Sequence, residues 1–542
     1  RVHYKYNIFI KRKALDALVL AECAEHSGRF MDDIINGIFA ICDETAWQLP
    51  AHNSYIRNSP QLILPDTSNP VIELFSCEAA SVLAVTYYLL KDELDSISPF
   101  ICSRIVEEVK KRVIIPYTTK HFWWMGKGKE EMCNWTIWCT QNVLLSAFLL
   151  PFSENTKHKV FKKACASTDF FLKDYGEDGC CDEGAQYYRH AGLCLYQTLD
   201  ILNHITDGYF NSLWDDEKIK NMALYILNVH VDDKYYINFA DCSPVAGRAG
   251  IREYLFGKAC GLDNLAKFAA LDYKRNPEKF QPDENNLYYR LQEAFTRKAI
   301  LSEDTDAPIL HPHVFYSSVG LWIARNDTYT AAAKCGDNND SHNHNDTGSV
   351  TLFKNGCPFL ADIGVESYTK KTFSAQRYEI WTMQSDYHNL PTINGIMQMN
   401  GAEYQATDIS HCFTEDGGKI SMDIAKAYPS DAHIEKYTRN VILSDSGLEI
   451  TDSWSFDDKI SHPVILNFIT YEKPAFSEDT PNILRIGALG SLLLPLDYQA
   501  SNIRIEELPI TDPRLMQCWK HSLYRIRIAV PENADSIQIM LS

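Results

Sequence analysis

Apolar side chains recur every three or four residues through most of the first half of the chain. Between Phe75 and Leu90, for example, Ala79, Leu83 and Tyr87 keep this spacing, which places all five on one face of an α-helix. The same period appears in four later stretches, 138–150, 160–172, 193–205 and 219–229. Short polar breaks such as 153–155 separate these stretches, so the pattern predicts antiparallel helical hairpins.

From about residue 313 the period changes to two. Tyr524, Ile526 and Ile528 alternate with Arg525 and Arg527, as expected for a strand with one buried face. Many such short strands without helical patterns between them favour an antiparallel β-sandwich. The sequence therefore predicts an α+β protein with a helical domain over 1–300 and a β-sandwich over 313–542. The polar segment 302–308, which ends in proline, is the predicted linker.

Length and composition are those of an ordered protein of two or three domains. The chain has 542 residues, of which 45% are apolar and 23% are charged. No apolar run reaches the roughly 18 residues of a transmembrane helix, so we expect no membrane span. Sixteen cysteines without a repeated spacing indicate reduced thiols. Since the first residues show no secretory-signal pattern, we expect a cytoplasmic location, with the periplasm as the alternative.

The formal net charge of −19 argues against a nucleic-acid partner, because such binding depends on neutralising phosphates with Lys and Arg. A local basic cleft can still attract an anionic ligand. One candidate is a basic and aromatic stretch before residue 134, which contains Lys110, Lys111, Arg112, Lys120, Trp123, Trp124, Lys127 and Lys129. This stretch is either a ligand-binding rim or a solvated surface.

Candidate metal chemistry is concentrated in Ser-His-Asn-His-Asn-Asp-Thr-Gly at 341–348. If this segment is extended, His342, His344 and Asp346 point to the same side. His344 and two later residues, Asp362 and His388, offer the nitrogen and oxygen donors that zinc takes in proteins. The alternative is a polar loop without a metal.

A longer set of motifs surrounds these residues. It comprises His342, the run Gly-Cys-Pro-Phe-Leu-Ala-Asp-Ile-Gly at 356–364, Arg377-Tyr378-Glu379, Ser385 and His388-Asn389-Leu390-Pro391. These motifs resemble the heparinase II/III group of polysaccharide lyases. The helical half is also similar to that family, in order, at 47–53, 134–135, 178–188 and 238–241. The resemblance implies a helical domain in the form of an (α/α) toroid, and bacterial glycosaminoglycan degradation as the function.

The resemblance also implies site residues. It makes His342 catalytic and gives His344, Asp362 and His388 to one mainly structural zinc ion. Asn134 becomes the partner of the substrate carboxylate, and Tyr187 the proton-transferring hydroxyl. Tyr188 is the alternate, because the family often has Tyr-Trp where this chain has two tyrosines. Weaker candidates for substrate binding, each of which can instead serve internal packing or salt bridges, are His52, Trp135, His190, Arg252 and Arg377.

A lyase of this kind removes the C5 proton of a uronic acid and expels the oxygen at C4. It therefore needs a group to neutralise the carboxylate, a base and an acid. Tyr187 can serve as both base and acid if the two groups lie on one face of the sugar; otherwise His342 takes one role. The expected partner is an anionic polysaccharide or oligosaccharide such as heparan sulfate, hyaluronan or chondroitin, and a homodimer is a possible assembly.

Three alternatives to this function stay open. The first is an alginate-type oligouronate lyase. The second is a glycoside hydrolase that uses Asp182 and Glu183, although adjacent helical residues diverge by about 100°. The third is a glycan-binding relative without activity, which is conceivable because Cys133 and the Tyr187-Tyr188 pair depart from the family pattern.

Overall fold

The computed structural model describes residues 2–54, 62–276, 285–458, 460–477, 480, 482–496, 498 and 500–542. The chain forms two compact units. The first contains 1–176, 189–223 and 249–308, and the second contains 177–188, 224–248 and 309–542. The predicted domain ranges, 1–300 and 313–542, do not separate the two short segments 177–188 and 224–248. These segments are part of the second unit because their backbone and side chains hydrogen-bond to its loops, as Ser318 does to Asp178.

The helices are, in chain order, α1 (Val2–Glu25), α2 (Met31–Cys42), α3 (Leu74–Ile97), α4 (Pro99–Val109), α5 (Ile115–Thr119), α6 (Asn134–Leu149), α7 (Glu154–Asp174), α8 (Ala185–Tyr188), α9 (Gly192–Ile205), α10 (Glu217–Val229), α11 (Ile251–Ala259), α12 (Asp263–Arg275) and α13 (Leu287–Ser302). A π-helical turn, Lys110–Ile114, joins α4 to α5.

Helix α3 lies at the centre of the first unit. It begins with a capping box, in which the Glu73 carboxylate accepts hydrogen bonds from the backbone N–H groups of Phe75 and Ser76. By length and composition α3 is apolar enough to cross a membrane, and 78% of its most apolar window is buried inside the protein. Its predicted apolar stripe, including Leu83 and Leu90, packs in the core with residues of α1, α2, α4 and α6.

The strands are β1 (His230–Asp232), β2 (Tyr235–Tyr236), β3 (Val314–Tyr316), β4 (Leu321–Arg325), β5 (Tyr329–Lys334), β6 (Asp337–Asn338), β7 (Val350–Lys354), β8 (Cys357–Leu360), β9 (Pro391–Ile393), β10 (Gly401–Gln405), β11 (Thr407–Thr414), β12 (Gly417–Asp423), β13 (Ile434–Ser444), β14 (Gly447–Phe456), β15 (Val464–Thr470), β16 (Pro474–Phe476), β17 (Ile483–Ile486), β18 (Gly490–Leu493), β19 (Ile503–Pro509), β20 (Ser522–Ala529) and β21 (Ser536–Leu541).

These strands form three main antiparallel sheets in the second unit. Their strand orders are β3-β4-β5-β7-β8, β11-β12-β13-β14-β21-β18-β17-β16 and β19-β20-β15-β9. The predicted alternation in β20 is present in part, since Ile526 and Ile528 are buried in the core that the sheets share. Arg525 is buried as well, because its guanidinium hydrogen-bonds to Glu506. The predicted order of a helical part followed by antiparallel sheets is confirmed.

Candidate active site

His342 lies in the loop between β6 and β7. The prediction of extended backbone here is wrong at His342, which has φ 59°, a left-handed conformation that is uncommon for a residue with a side chain. Backbone hydrogen bonds close the base of the loop, because Lys334 donates to Ser349 O at 2.9 Å and Gly348 donates to Lys334 O at 2.8 Å. The buried Lys334 ammonium also pairs with Asp340 inside the loop. The loop is thus fixed at its ends and in its middle.

Asp241, from the short segment 224–248, connects the two histidines of this loop. Its Oδ2 lies 2.8 Å from Nδ1 of His342, and its Oδ1 lies 3.1 Å from Nε2 of His344. Burial by itself raises the pKa of Asp241, but the hydrogen bonds from both histidines and the charge of Arg377 lower it well below its usual range. A fully buried, ionised carboxylate therefore orients both imidazoles.

The largely buried side chain of Arg377 hydrogen-bonds to Asp241 and to the His342 loop. Its Nη2 donates to Asp241 Oδ1 at 2.6 Å and to His342 O at 2.9 Å, and its Nε donates to Asn343 O at 3.0 Å. A guanidinium engaged in this way has little capacity left for a ligand. The contacts of Arg377 therefore argue for positioning the His342 loop rather than for the predicted substrate binding.

Two tyrosine hydroxyls lie beside His342. The ring of Tyr187 stacks on the imidazole with centroids 4.8 Å apart, and its hydroxyl is 2.6 Å from that of Tyr368. Tyr368 in turn lies 3.4 Å from His342 Nδ1. Burial raises the pKa of Tyr187 to about 12, although the hydrogen bond with Tyr368 and the charge of Arg514 oppose this. The Tyr187 phenol is consequently protonated at neutral pH.

The guanidinium of Arg514 lies next to Tyr368 and to the backbone of Asp241. Its guanidinium lies 4.6 Å from the centroid of the Tyr368 ring and donates to Gln186 Oε1 and Asp241 O, both at 3.0 Å. Sequence reasoning identified neither Tyr368 nor Arg514, since neither lies in a motif with recognisable spacing.

Tyr188 has a different environment from Tyr187. It is fully buried, and its ring packs on that of Tyr225 at 5.8 Å in the core of the second unit. Because a hydroxyl without solvent access cannot reach a polymer, the structure favours Tyr187 over Tyr188 for proton transfer.

Glu183 and Asp182 lie on the other side of His342. Oε2 of Glu183 is 3.5 Å from His342 Nε2, and only 3% of the Glu183 side chain is exposed. Burial and the negative charge of Glu183 raise the pKa of Asp182 to about 7. Glu183 is buried against His342 and Asp182 is its direct neighbour in the chain, an arrangement that does not suit the two open carboxylates of a glycoside hydrolase.

The predicted metal ligands come together. One donor atom from each of His344, Asp362 and His388 lies within 4.8 Å of the others, and all three residues are buried. His344 Nδ1 and His388 Nε2 are buried nitrogens without a hydrogen-bond partner among the residues that the structure describes. His344 holds its other nitrogen against Asp241, the carboxylate–histidine arrangement that orients metal ligands in proteins. Residues and geometry thus fit a divalent cation.

A second group with metal-type donors lies at the surface. His433, Asp457 and Asp458 also have donor atoms within 4.8 Å of one another, but the two aspartates are exposed. His433 forms a 3.2 Å ion pair with Asp457, which accounts for this cluster without a metal.

The remaining predicted site residues belong to the first unit. His52 Nδ1 is 2.7 Å from the Glu73 carboxylate, and its ring contacts that of Trp135 at 4.8 Å. Asn134, the first residue of α6, is 6% exposed. The structure therefore groups His52 and Trp135 in an aromatic cluster whose histidine is held by a carboxylate.

His190 and Arg252 have internal partners in the first unit. The His190 ring stacks on Trp138 with centroids 4.0 Å apart, and burial together with the charges of Arg252 and Arg189 lowers the pKa of His190 to about 3. Arg252 lies 4.0 Å from the centroid of the Tyr289 ring and donates to Arg189 O at 3.2 Å. The imidazole of His190 is therefore neutral and suited to hydrogen bonding rather than to ion pairing.

The fold of this chain is similar to that of several solved structures. The heparan sulfate lyase HepC of Pedobacter heparinus is 13% identical, with a TM-score of 0.62 over 98% of this chain and 76% of that one. Heparinase III is 14% identical, with a TM-score of 0.63 over 98% of this chain and 76% of that one. The chondroitin AC lyase of Streptomyces coelicolor A3 in complex with chondroitin sulphate is 10% identical, with a TM-score of 0.57 over 99% of this chain and 75% of that one.

The chain thus shares with these lyases a fold in which a helical part is followed by antiparallel sheets. Residues 308–476 match the family model of the heparinase II/III-like C-terminal domain, which confirms the predicted resemblance over that part of the chain. A comparison with curated proteins found no match.

Proposed function

We propose that this protein is a polysaccharide lyase that cleaves a uronate-containing glycan by β-elimination. The observation that carries the proposal is the single cluster formed by Tyr187, His342 and Asp241, in which a protonated phenol stacks on an imidazole held by a buried carboxylate. The heparinase II/III-like domain over 308–476 contains His342 and supports the same reaction.

In the proposed reaction, the geometry supports His342 as the base and Tyr187 as the acid. Because the ionised Asp241 accepts a hydrogen bond from Nδ1 of His342, the neutral imidazole has its lone pair on Nε2 and can accept the C5 proton there. The released electron pair forms the C4–C5 double bond, and the bond from C4 to the leaving oxygen breaks. Tyr187, which is protonated at neutral pH, donates its proton to that oxygen. No water is consumed.

Tyr368 and Arg514 support proton transfer by Tyr187. Tyr368 holds the Tyr187 hydroxyl through the 2.6 Å hydrogen bond. After each turnover, His342 releases the proton that it took from C5 to solvent, and the Tyr187 phenolate regains a proton from solvent. Arg514, whose charge lies beside both tyrosines, stabilises negative charge on the phenol while its proton is being transferred. Neutralisation of the substrate carboxylate by Asn134 stays a prediction from the family pattern.

Zinc is the metal we propose for His344, Asp362 and His388, since two imidazoles and a carboxylate are ligands that it takes in proteins. When bound, it supplies a fixed positive charge that ties the His342 loop to the segment around His388. The residues of the chain then keep His342 in place, and no step of the elimination passes through the metal.

The proposed substrate class is a glycosaminoglycan, which alternates uronic acid with hexosamine. The proteins of similar fold include a heparan sulfate lyase and a chondroitin AC lyase, so heparan sulfate and chondroitin sulfate both belong in the test. Hyaluronan is added as an unsulfated glycosaminoglycan. Alginate, which contains uronic acid alone, is the polymer that separates a glycosaminoglycan lyase from an oligouronate lyase.

The test is incubation of the protein with heparan sulfate, hyaluronan, chondroitin sulfate and alginate. We expect fragments with unsaturated, ultraviolet-absorbing ends from at least one polymer, and no fragments from Tyr187→Phe. Fragments with saturated ends would indicate hydrolysis and contradict the proposal. Binding of oligosaccharides without cleavage of any of the four polymers would instead indicate a glycan-binding relative.

A further inference from the structure

A pocket lies next to the cluster of Tyr187, His342 and Tyr368, within the same unit. Its volume is about 360 Å³, in the range of small-ligand sites, and its walls come from the segments 365–372 and 379–383. Ser367 and Thr369 line it, whereas Tyr368 between them reaches the hydroxyl of Tyr187 and lies near His342. One short segment of chain therefore contributes both to the catalytic cluster and to this pocket.

An indole forms one wall of the pocket. Trp381 is half-buried, its ring packs edge-on against Tyr387 at 5.1 Å, and its Nε1 donates to Glu366 Oε1 at 2.8 Å. These contacts fix the orientation of both Trp381 and Glu366. A fixed indole provides a large apolar surface with little loss of side-chain entropy on binding. Such a surface suits the C–H face of a sugar ring.

The charged side chains that line the pocket determine which chemical groups of a ligand it can bind. Lys371 and Glu379 form an ion pair at 2.9 Å and so offset each other, which leaves the Glu366 carboxylate as the uncompensated charge of the lining. Oε2 of Glu366 accepts no hydrogen bond from the described residues, and can accept one from a ligand. A carboxylate here attracts hydroxyl, amide N–H or ammonium groups and repels sulfate and uronate.

We infer that this pocket is a subsite for a hexosamine residue that carries no sulfate at its nitrogen, with the ring against Trp381 and its nitrogen or a hydroxyl on Glu366. The inference rests on the proposed function, and adds a preference for glycans whose hexosamine is N-acetylated or N-unsubstituted. The uronate is then recognised at the Tyr187–His342 cluster, and its neighbour at the Glu366–Trp381 pocket.

The kinetic test compares Glu366→Lys with Glu415→Lys, a control that makes the same charge change in an exposed turn between β11 and β12. The substrates are uronate–hexosamine oligosaccharides without O-sulfate, in N-acetylated, N-unsubstituted and N-sulfated forms. We expect Glu366→Lys to raise KM about tenfold for the first two forms and to lower it for the N-sulfated form, with kcat within about twofold of the parent. Equal KM values for Glu366→Lys and Glu415→Lys on all three forms would overturn the inference.

A binding test separates this inference from the proposed function. Tyr187→Phe, with or without Glu366→Lys, is titrated with the same three oligosaccharides in a calorimeter. Tighter binding of the N-acetylated and N-unsubstituted forms, lost in the double variant, supports the subsite even if no polymer is cleaved. Binding that is unaffected by Glu366→Lys, or undetectable with all three forms, contradicts it. Unchanged thermal unfolding of each variant checks the fold, and Trp381→Phe, which removes the indole N–H, should show a smaller effect of the same sign.

Discussion

Asp241 accepts a 2.8 Å hydrogen bond from Nδ1 of His342, although 101 residues separate them in the chain. The same carboxylate holds His344 through its other oxygen. One buried charge therefore fixes the tautomer of the proposed base and the orientation of a proposed metal ligand.

Replacing Asp241 with Asn should reduce kcat by about a hundredfold or more, because the neutral amide no longer favours the Nδ1–H tautomer or the imidazolium formed when His342 takes a proton. Steady-state kinetics on the best polymer checks this. Asp233→Asn, which changes an exposed ion pair with Arg248, is the matched control and should keep kcat. Full activity of Asp241→Asn would remove His342 from the role of base.

Replacing Tyr187, Tyr368 or Tyr188 with Phe should have three different effects on activity. Tyr187→Phe is expected to abolish elimination, because it removes the donated proton. Tyr368→Phe should lower kcat about tenfold with little change in KM, since the hydroxyl partner of Tyr187 is lost while the substrate-facing phenol stays. Tyr188→Phe should leave kcat unchanged and affect only stability. A loss of turnover confined to Tyr188→Phe would transfer the proton donor to the buried position.

One divalent ion per chain should be found by elemental analysis. Removing it with a chelator is expected to lower the thermal midpoint by several degrees, because buried imidazoles and a carboxylate lose their common partner. Zinc should restore the midpoint, whereas magnesium should not. His388→Ala should abolish the metal content, and His433→Ala, which changes the surface cluster, should preserve it. The reverse pattern would place the ion at the surface.

Arg439 should determine how tightly the metal is held. Its Nη1 donates to Gly348 O at 2.9 Å and to Asn389 O at 2.7 Å, which joins the His344 loop to the segment that carries His388. Its Nε and Nη2 pair with the buried Asp452. Arg439→Lys is expected to retain part of these contacts and to lose metal at a lower chelator concentration than the parent. Arg527→Lys, a half-buried arginine of β20, is the control.

Removing one partner of this buried pair should also destabilise the fold. The Asp452→Ala variant leaves a buried guanidinium without its counter-charge, a change that costs about 3–5 kcal/mol in proteins. Thermal unfolding checks this. An unchanged midpoint for Asp452→Ala would show that the pair contributes little to either stability or loop position.

The contribution of Asp182 to the stability of the protein should fall as the pH rises from about 4 to about 8. Its folded pKa of about 7 lies above the ordinary value of 3.8, so the folded state binds this proton more tightly than the unfolded state does. The contribution is fully present below about pH 4 and is lost as the pH passes about 7. Asp182→Asn should therefore be more stable than the parent at pH 8, by on the order of 3 kcal/mol, and similar at pH 4.

Thermal midpoints of parent, Asp182→Asn and Glu415→Gln across this pH range provide the measurement. The exposed Glu415 serves as the control and should leave the pH profile unchanged. An Asp182→Asn profile parallel to that of the parent would show that Asp182 is ionised in the folded state.

The sequence predicted what depends on periodicity or on donor chemistry. Apolar spacing around Leu83 located α3, alternation around Ile526 located β20, and the donor types of His344, Asp362 and His388 predicted ligands that the structure brings together. The resemblance supplied Tyr187 and His342.

Contacts between distant positions were beyond such reasoning. Tyr368 meets Tyr187 across 181 residues, and one tyrosine among 29 gives no local signal. Asp241 was predicted only as part of the motif at 238–241, because its role depends on two histidines about a hundred residues later. The left-handed turn at His342 was missed because alternation assumes extended backbone, and Arg377 was assigned to a ligand because its partner Asp241 could not be seen.

The interleaved order of the two units limits how this protein can be divided. A fragment that starts after the linker at 302–308 retains His342 but lacks Tyr187 and Asp241, which lie in segments encoded among the helices. Expressed alone, the fragment would lack the Tyr187 phenol and the Asp241 carboxylate that holds His344, so recombination at the linker would transfer only part of the proposed catalytic site. The residues of the proposed reaction centre therefore come from three separate parts of the chain, and no single continuous domain fragment carries all of them.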